Sequence, residues 1–164
     1  MILLGCVGIG ICYREQFRGR IRHMRLLQTM LSIFMSEITF GRATLPECCH
    51  MIAHSMPEPY SSCLVDIYDE MQKNMGIDFR KLFAARMETC LTKLPLEQED
   101  IDSFLWFTRH GGLQDRELQM KFLQESHDRI YESILQQESR EQSKGQLAVS
   151  LGVMGGLLLL VVLI

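Results

Sequence analysis

Apolar residues recur every three or four positions through the middle of the chain, the spacing of one helical face, and no stretch alternates with the period of two that a strand needs. Ile21, Met24, Leu27, Leu31, Phe34 and Ile38 draw a stripe along a first long helix that runs to Phe40, with Gly41 as its stop. Thr44, Leu45, Pro46 and Glu47 then form a capping-box pattern with proline in the first turn, so a short helix is expected to about His54. The segment Met56, Pro57, Glu58, Pro59 ends it.

A third helix is expected from Ser61 or Ser62 to Gly76, turning Leu64, Ile67, Tyr68 and Met71 inward. Asp78 suits the cap of a fourth, whose Leu82, Phe83, Met87, Cys90 and Leu91 keep helical spacing until Pro95. A fifth carries Ile101, Phe104, Leu105 and Phe107, with Trp106 near its end, before Gly111 and Gly112. From Asp115 a last helix carries Leu118, Phe122, Ile130 and Ile134 on one side. The fold class expected is all-α: an antiparallel bundle of about six helices, long enough to bury a core without disulfides or metal.

The two ends break this pattern. Leu147 to Ile164 is an 18-residue run without a charge, in which Ser150 is the only hydroxyl. As a helix it spans ~27 Å, close to the ~30 Å hydrocarbon thickness of a bilayer. Met1 to Tyr13 is also apolar, but thirteen residues reach only ~20 Å as a helix. Arg14, Arg18, Arg20, Arg22 and Arg25 follow against the single acid Glu15, a collar that sets topology by keeping its side of the membrane cytoplasmic and meets anionic lipid. A cleaved signal peptide needs its positive charge ahead of the apolar core, and here the charge comes after it. Leu3, Leu4, Gly5 and Cys6 imitate a lipoprotein cleavage site, with too little apolar sequence upstream to serve one.

The expected organisation is a membrane segment at 1–17, a cytoplasmic helical domain at 18–143, and a transmembrane helix at 146–164. QQESREQSKG, at 136–145, contains no apolar residue and is expected to form an exposed polar stalk. Gly152 and Gly156 lie four apart in the last segment, and Gly155 broadens the same smooth face, so close packing against another membrane helix is expected there.

From Leu26 to Ser143 the chain carries 11 Lys plus Arg against 19 Asp plus Glu, a surplus of eight acids that argues against nucleic-acid binding. Of the six cysteines, Cys48, Cys49, Cys63 and Cys90 fall in the expected cytoplasmic domain, and reduced thiols rather than disulfides are expected. Cys48, Cys49, His50 and His54 raise a zinc question, but no second ligand pair stands at a recognisable spacing and adjacent cysteines diverge by ~100° on a helix. Nor is there a phosphate-cradling loop, a nucleophile elbow or a zinc-protease motif. His110 beside Gly111 and Gly112 reads as a cation at a helix C-terminus, and the acids at 97, 99, 100 and 102 read as a charged helix N-terminus. No enzyme, cofactor, metal or small-molecule substrate is expected.

The order of strings carries a resemblance. ITFGRATLPE at Ile38 to Glu47, within the pattern E-I-x-x-G-x-x-x-L-P-E from Glu37, is followed by GLQDRELQMKFL at Gly112 to Leu123, with its Asp115 and Gln119 spacing, and by the tail LGVMGGLLLLVVLI. Together with the apolar N-terminus and its arginines, these resemble the stage III sporulation protein AB family over nearly the whole chain. Cys48, Cys49 and His50 depart from the family's pattern, and the first apolar segment is shorter than its usual span.

The resemblance implies a non-enzymatic membrane component of a secretion-like complex in endospore formation, at the mother-cell membrane around the forespore. It implies a helical body similar to the cytoplasmic domains of platform proteins in type II secretion and type IV pilus machines. It also implies as partner a secretion-type ATPase, similar to stage III sporulation protein AA, with other subunits of the complex. Candidate partner-binding residues are Gly41, Leu45, Pro46 and Glu47 with Asp115, Glu117, Gln119 and Lys121, for which turn chemistry and helix capping are the competing explanation. A tail-anchored adaptor unrelated to sporulation and a membrane-tethered enzyme share the same hydropathy and remain open at this stage.

Overall fold

The computed structural model describes residues 2–41, 43–73, 76–110 and 117–139, with side chains from Arg18 onward. Every element among them is helical: α1 (Ile2–Ser36), α2 (Leu45–Ala53), α3 (Tyr60–Lys73), α4 (Phe79–Leu91), α5 (Gln98–Phe104), α6 (Trp106–His110) and α7, the helix at 117–139. The anchor segment and the first bundle helix are therefore one continuous helix. Its last turn, Glu37–Gly41, widens to the π form before α2 begins.

Among the described residues no helix is long and apolar enough to cross a membrane, since the apolar start of α1 meets the arginine collar after thirteen residues. The tail at 146–164, with Gly152 and Gly156, lies outside the described residues, as do Asp115 and the side chain of Arg14.

The stripe read from α1 is the spine of the core. Met24, Leu27, Leu31, Phe34 and Ile38 are buried as expected, and Met30 joins them, whereas Ile21 is only half-buried. Around Phe34 stand aromatic rings from two further layers. Phe34 meets Phe83 edge-on at 5.8 Å, and Phe83 meets Phe107 at 5.5 Å and Phe104 at 6.2 Å. Offset and edge contacts of this kind are what ring quadrupoles favour. Leu45, Cys48, Cys49 and Ile52 of α2 and Leu64 and Ile67 of α3 fill the remaining side of the same cluster.

Local signals place most of the helix ends. The Asp78 carboxylate accepts from the Arg80 backbone N–H at 3.0 Å, capping α4 as expected. Gly76, at φ 134°, takes the positive-φ position between α3 and α4 that a side chain would strain. The third helix opens at Tyr60, just before the serines expected to start it, and of the residues expected inward Leu64 and Ile67 are buried, Met71 is half-buried against the core and Tyr68 is half-buried.

The expected fifth helix is broken in two at Leu105, although the sequence there contains neither glycine nor proline. Two polar contacts hold the break: the Phe107 N–H donates to the buried Ser126 hydroxyl of α7 at 3.0 Å, and the Thr108 hydroxyl donates to the Leu105 carbonyl at 2.6 Å. Ser126 thus satisfies a backbone donor that an unbroken helix would have kept for itself.

Helix α7 runs antiparallel to α1. The Met120 sulfur lies 3.6 Å from the Thr39 hydroxyl oxygen near one end, His127 contacts Gln28 at 3.2 Å midway, and Glu138 pairs with Arg25 at 2.5 Å near the other. Its inward side is Leu123, Ser126, Ile130 and Ile134, and Leu118, expected inside, is 43% exposed because it falls one residue out of phase with that row. The stretch 136–139, expected to begin an exposed stalk, continues α7 and lies along the collar.

Candidate functional site

The antiparallel pairing gives the bundle two poles. At one stand the collar and the end of α7; at the other stand the π turn, the start of α2 and the start of α7. Thr39 and Met120 join the two strings singled out as partner-binding, which are some eighty positions apart in sequence.

At this far pole the candidate residues divide. Gly41, Glu47, Glu117 and Lys121 are exposed, Pro46 and Gln119 are half-buried, and Leu45 is a core residue at 7% exposure. Glu47 also does capping work: its carboxylate accepts from the Thr44 backbone N–H and the Thr44 hydroxyl, each at 2.8 Å. Those bonds, the backbone one first, hold the Glu47 carboxyl below the usual carboxylate range. A Cβ on Gly41 would stand 2.6 Å from a carboxylate oxygen of Glu37, the movable end of a flexible side chain. From Lys121 to Glu132 a shallow polar groove of about 590 Å³ continues along α7, lined by Glu125, Asp128 and Arg129 among others.

The residue that sequence reasoning missed is Phe40. It is 84% exposed on the π turn, the most exposed large apolar side chain among the described residues. The signal was its phase: in the stripe Leu31, Phe34, Ile38, position 40 belongs to the opposite face. The Thr39 hydroxyl donates to the Met35 carbonyl at 2.7 Å, adding a side-chain bond to the turn on which the ring stands.

At the collar pole the structure separates the arginines. Arg20 does not face lipid or solvent. It is buried beneath α5, where Nε donates to Asp100 at 2.7 Å and Nη2 to the other Asp100 oxygen at 3.0 Å, and Nη1 donates to Glu97. The Gln137 amide, with its oxygen toward the guanidinium, accepts from Nη1 and Nη2 at 3.0 and 3.1 Å. Burial alone would lower the Arg20 value, but the hydrogen bonds and charge of Asp100, then of Glu97, outweigh it and hold the cation more firmly than usual. Asp100 also accepts from the Glu97 N–H at 3.0 Å, so of the acids read as a helix N-terminus Glu97 and Asp100 are that and the arginine's partners too, while Asp102 pairs with Arg109. Arg18, Arg22 and Arg25 remain exposed.

Other polar clusters serve packing. His23 meets the Tyr60 hydroxyl through Nδ1 at 2.9 Å, and burial, then the charge of Arg22, lowers its tendency to take a proton. Trp106 lies between the His110 ring and the Arg129 guanidinium, each 3.7 Å from its centroid, which clamps α6 to α7. Helix α2 turns Cys48 and Cys49 into the core and His50 and His54 to the outside, where His50 stacks on Tyr68 at 4.7 Å. Burial pushes the Cys48 thiol up to about 11 and Cys49 well above its ordinary range, which suits apolar packing rather than thiolate chemistry. Among the described residues no three His, Cys, Asp or Glu side chains converge as a metal would require.

Comparison with known proteins bears on this arrangement directly. A solved structure described as stage III sporulation protein AB superposes with a TM-score of 0.67 at 20% identity, covering 76% of this chain and 98% of the other, so the two share a fold. No curated protein matches. The family model for stage III sporulation protein AB matches residues 1–164, the whole chain. The chain belongs to the stage III sporulation protein AB family, and through it to the components of the sporulation stage III complex.

Proposed function

We propose that this protein is a non-enzymatic platform, held at the mother-cell membrane by both ends of its chain, that presents its far pole to a secretion-type ATPase of the stage III complex. The single observation that carries the reading is the antiparallel course of α1 and α7. It brings the arginine collar to the same pole as the residues leading to the apolar tail, with Arg25 on Glu138, and leaves Phe40, Glu117 and Lys121 at the opposite pole. Two anchors at one pole let the other face the cytoplasm, where a soluble motor works.

The chemistry of that pole fits a protein partner. An isolated aromatic ring amid exposed polar groups is the pattern of an interface anchor with a polar rim. The acidic surplus of the body complements a basic partner surface and favours fast association. Pairing of the tail through Gly152 and Gly156 belongs to the same reading, as does topology set by the exposed arginines of the collar.

The test is made in sporulating cells with full-length protein. Membranes carrying the wild type should recruit the ATPase, whereas Phe40→Ala and Glu117→Lys should recruit several-fold less while remaining folded and membrane-bound. Unchanged recruitment by both variants overturns the docking pole. Release of the wild type from membranes by alkaline carbonate overturns the anchoring.

A further inference from the structure

Outside the far pole, the most distinctive surface is a shallow groove of about 390 Å³ along α1, lined by Arg18, Ile21, Arg22, Arg25, Leu26 and Thr29. These residues follow one another at intervals of three and one, so they form a single face of the helix. The face combines three guanidinium groups with two aliphatic side chains, on a body that otherwise carries more acid than base. Among the described residues, neither Arg18 nor Arg22 has an acidic partner, in contrast to Arg20. Arg25 pairs with Glu138, and that pair is solvent-exposed, so its guanidinium is free to exchange partners.

We propose that this groove binds the phosphate headgroup of an anionic phospholipid. The inference rests on the membrane reading above and adds a ligand to it. Position selects this occupant. At ~1.5 Å per residue along α1, Arg18 stands ~7 Å and Arg22 ~13 Å beyond Tyr13, the end of the apolar stretch. The headgroup layer of each leaflet is ~5–8 Å deep beyond the hydrocarbon, and arginine side chains extend along the helix axis to reach it.

Chemistry selects it too. Guanidinium groups take phosphate oxygens in paired hydrogen bonds, and their planar fork matches the two non-bridging oxygens of a phosphodiester, which a lone lysine would hold less specifically. Ile21 and Leu26, interleaved with the arginines and half-buried, form the apolar part of the groove wall. The burial of Arg20 gives the groove its composition: with that charge turned beneath α5, Arg18, Arg22 and Arg25 share one outward face. A second copy of this chain, bringing its acidic body to the groove, is the competing occupant.

The experiment uses full-length protein reconstituted into vesicles of phosphatidylcholine with about 30% phosphatidylglycerol, extracted in mild detergent and examined by native mass spectrometry. Wild-type protein should retain phosphatidylglycerol at least about fivefold above its share of the vesicle lipid, and Arg18→Gln with Arg22→Gln should return the ratio to that share. Arg18→Lys with Arg22→Lys should keep part of the enrichment, and Arg86→Gln, on α4 against Glu70, should keep all of it. Excess inorganic phosphate should not displace the lipid.

Wild-type protein that floats with the vesicles but carries phosphatidylglycerol only at its bulk share overturns the groove and leaves the membrane reading standing. Retention by the double glutamine variant, or displacement by inorganic phosphate alone, also overturns it. A dimer in place of bound lipid assigns the face to self-association instead. Protein that fails to float with vesicles at all overturns the membrane reading and this proposal together.

Discussion

At its collar end α1 buries a charge, Arg20, and in the π turn at its far end it exposes an aromatic ring, Phe40 at 84%. Each inverts the usual distribution of side chains. The inversions differ in how they are supported. Arg20 is enclosed by Asp100, Glu97 and the Gln137 amide, so its desolvation is matched by charge and hydrogen bonds from inside the fold. Phe40 has no matching contact from the core, whose rings stack around Phe34 and Phe83 instead. A buried group with a full set of partners belongs to the architecture, and an exposed apolar group without any is available to something else.

The largest effect should come from the collar. Arg20→Met removes the cation and leaves Asp100, which is 1% exposed, as an unpaired buried carboxylate. Loss of one partner from a buried pair costs ~3–5 kcal/mol. Full-length protein in detergent should lose that much in denaturant unfolding, and Arg20→Met combined with Asp100→Leu should recover most of it, because the orphaned charge goes too. A single variant as stable as the wild type would remove Arg20 from the architecture and return it to the collar.

A smaller effect should come from the seam between α6 and α7. Ser126→Ala leaves the Phe107 N–H without an acceptor in a buried position, which costs ~1–3 kcal/mol. The measurement is the same unfolding midpoint, with Ser133→Ala, half-buried elsewhere on α7, as a control expected to change little.

That seam also marks where sequence reasoning stopped. The α1 stripe, the Asp78 cap, the Thr44 to Glu47 turn and the stops at Pro57, Pro59 and Pro95 were legible, because each is decided by residues within a few positions of one another. The break at Leu105 was not, since its cause is Ser126, nineteen residues from Phe107 in another helix. Arg20 was grouped with its sequence neighbours because the acid that claims it is eighty positions away. Leu118 was assigned inward by joining it to Phe122, whereas the buried row of α7 begins at Leu123 and passes through a serine, which apolar periodicity skips. For the candidate site, the two strings were visible as motifs, but that Thr39 and Met120 bring them together required the fold.

Between these effects and the far pole lies a dependence on pH. His23 is held below its ordinary 6.5 by burial and then by Arg22. The unfolded chain therefore takes up the proton more readily, so stability is unaffected above about pH 6.5 and falls as the pH drops through it. The carboxyls of Glu47, Asp78 and Glu125 are lowered as well, and their contributions are lost only in a more acidic window, below their ordinary 4.5, 3.8 and 4.5. Unfolding midpoints at pH 7.5 and 5.5 should differ, and His23→Gln should flatten the difference. An equal slope in the variant would assign the dependence to other groups.

The smallest change in stability should come from the residue with the most to do. Phe40→Ala removes a side chain that is almost wholly in solvent, so unfolding should shift by no more than ~0.5 kcal/mol. Truncating an aromatic anchor at the centre of an interface, by contrast, costs ~2 kcal/mol or more of binding, roughly a thirtyfold loss of affinity. Stability and association should therefore separate at this position and run together at Arg20, where weakened association would follow from unfolding. Phe34→Ala supplies the converse control: the same residue type, six residues earlier and fully buried, should cost ~3–5 kcal/mol of stability. If Phe40→Ala instead destabilises the protein as much as Phe34→Ala, its ring is part of the core's support and the far pole loses its anchor.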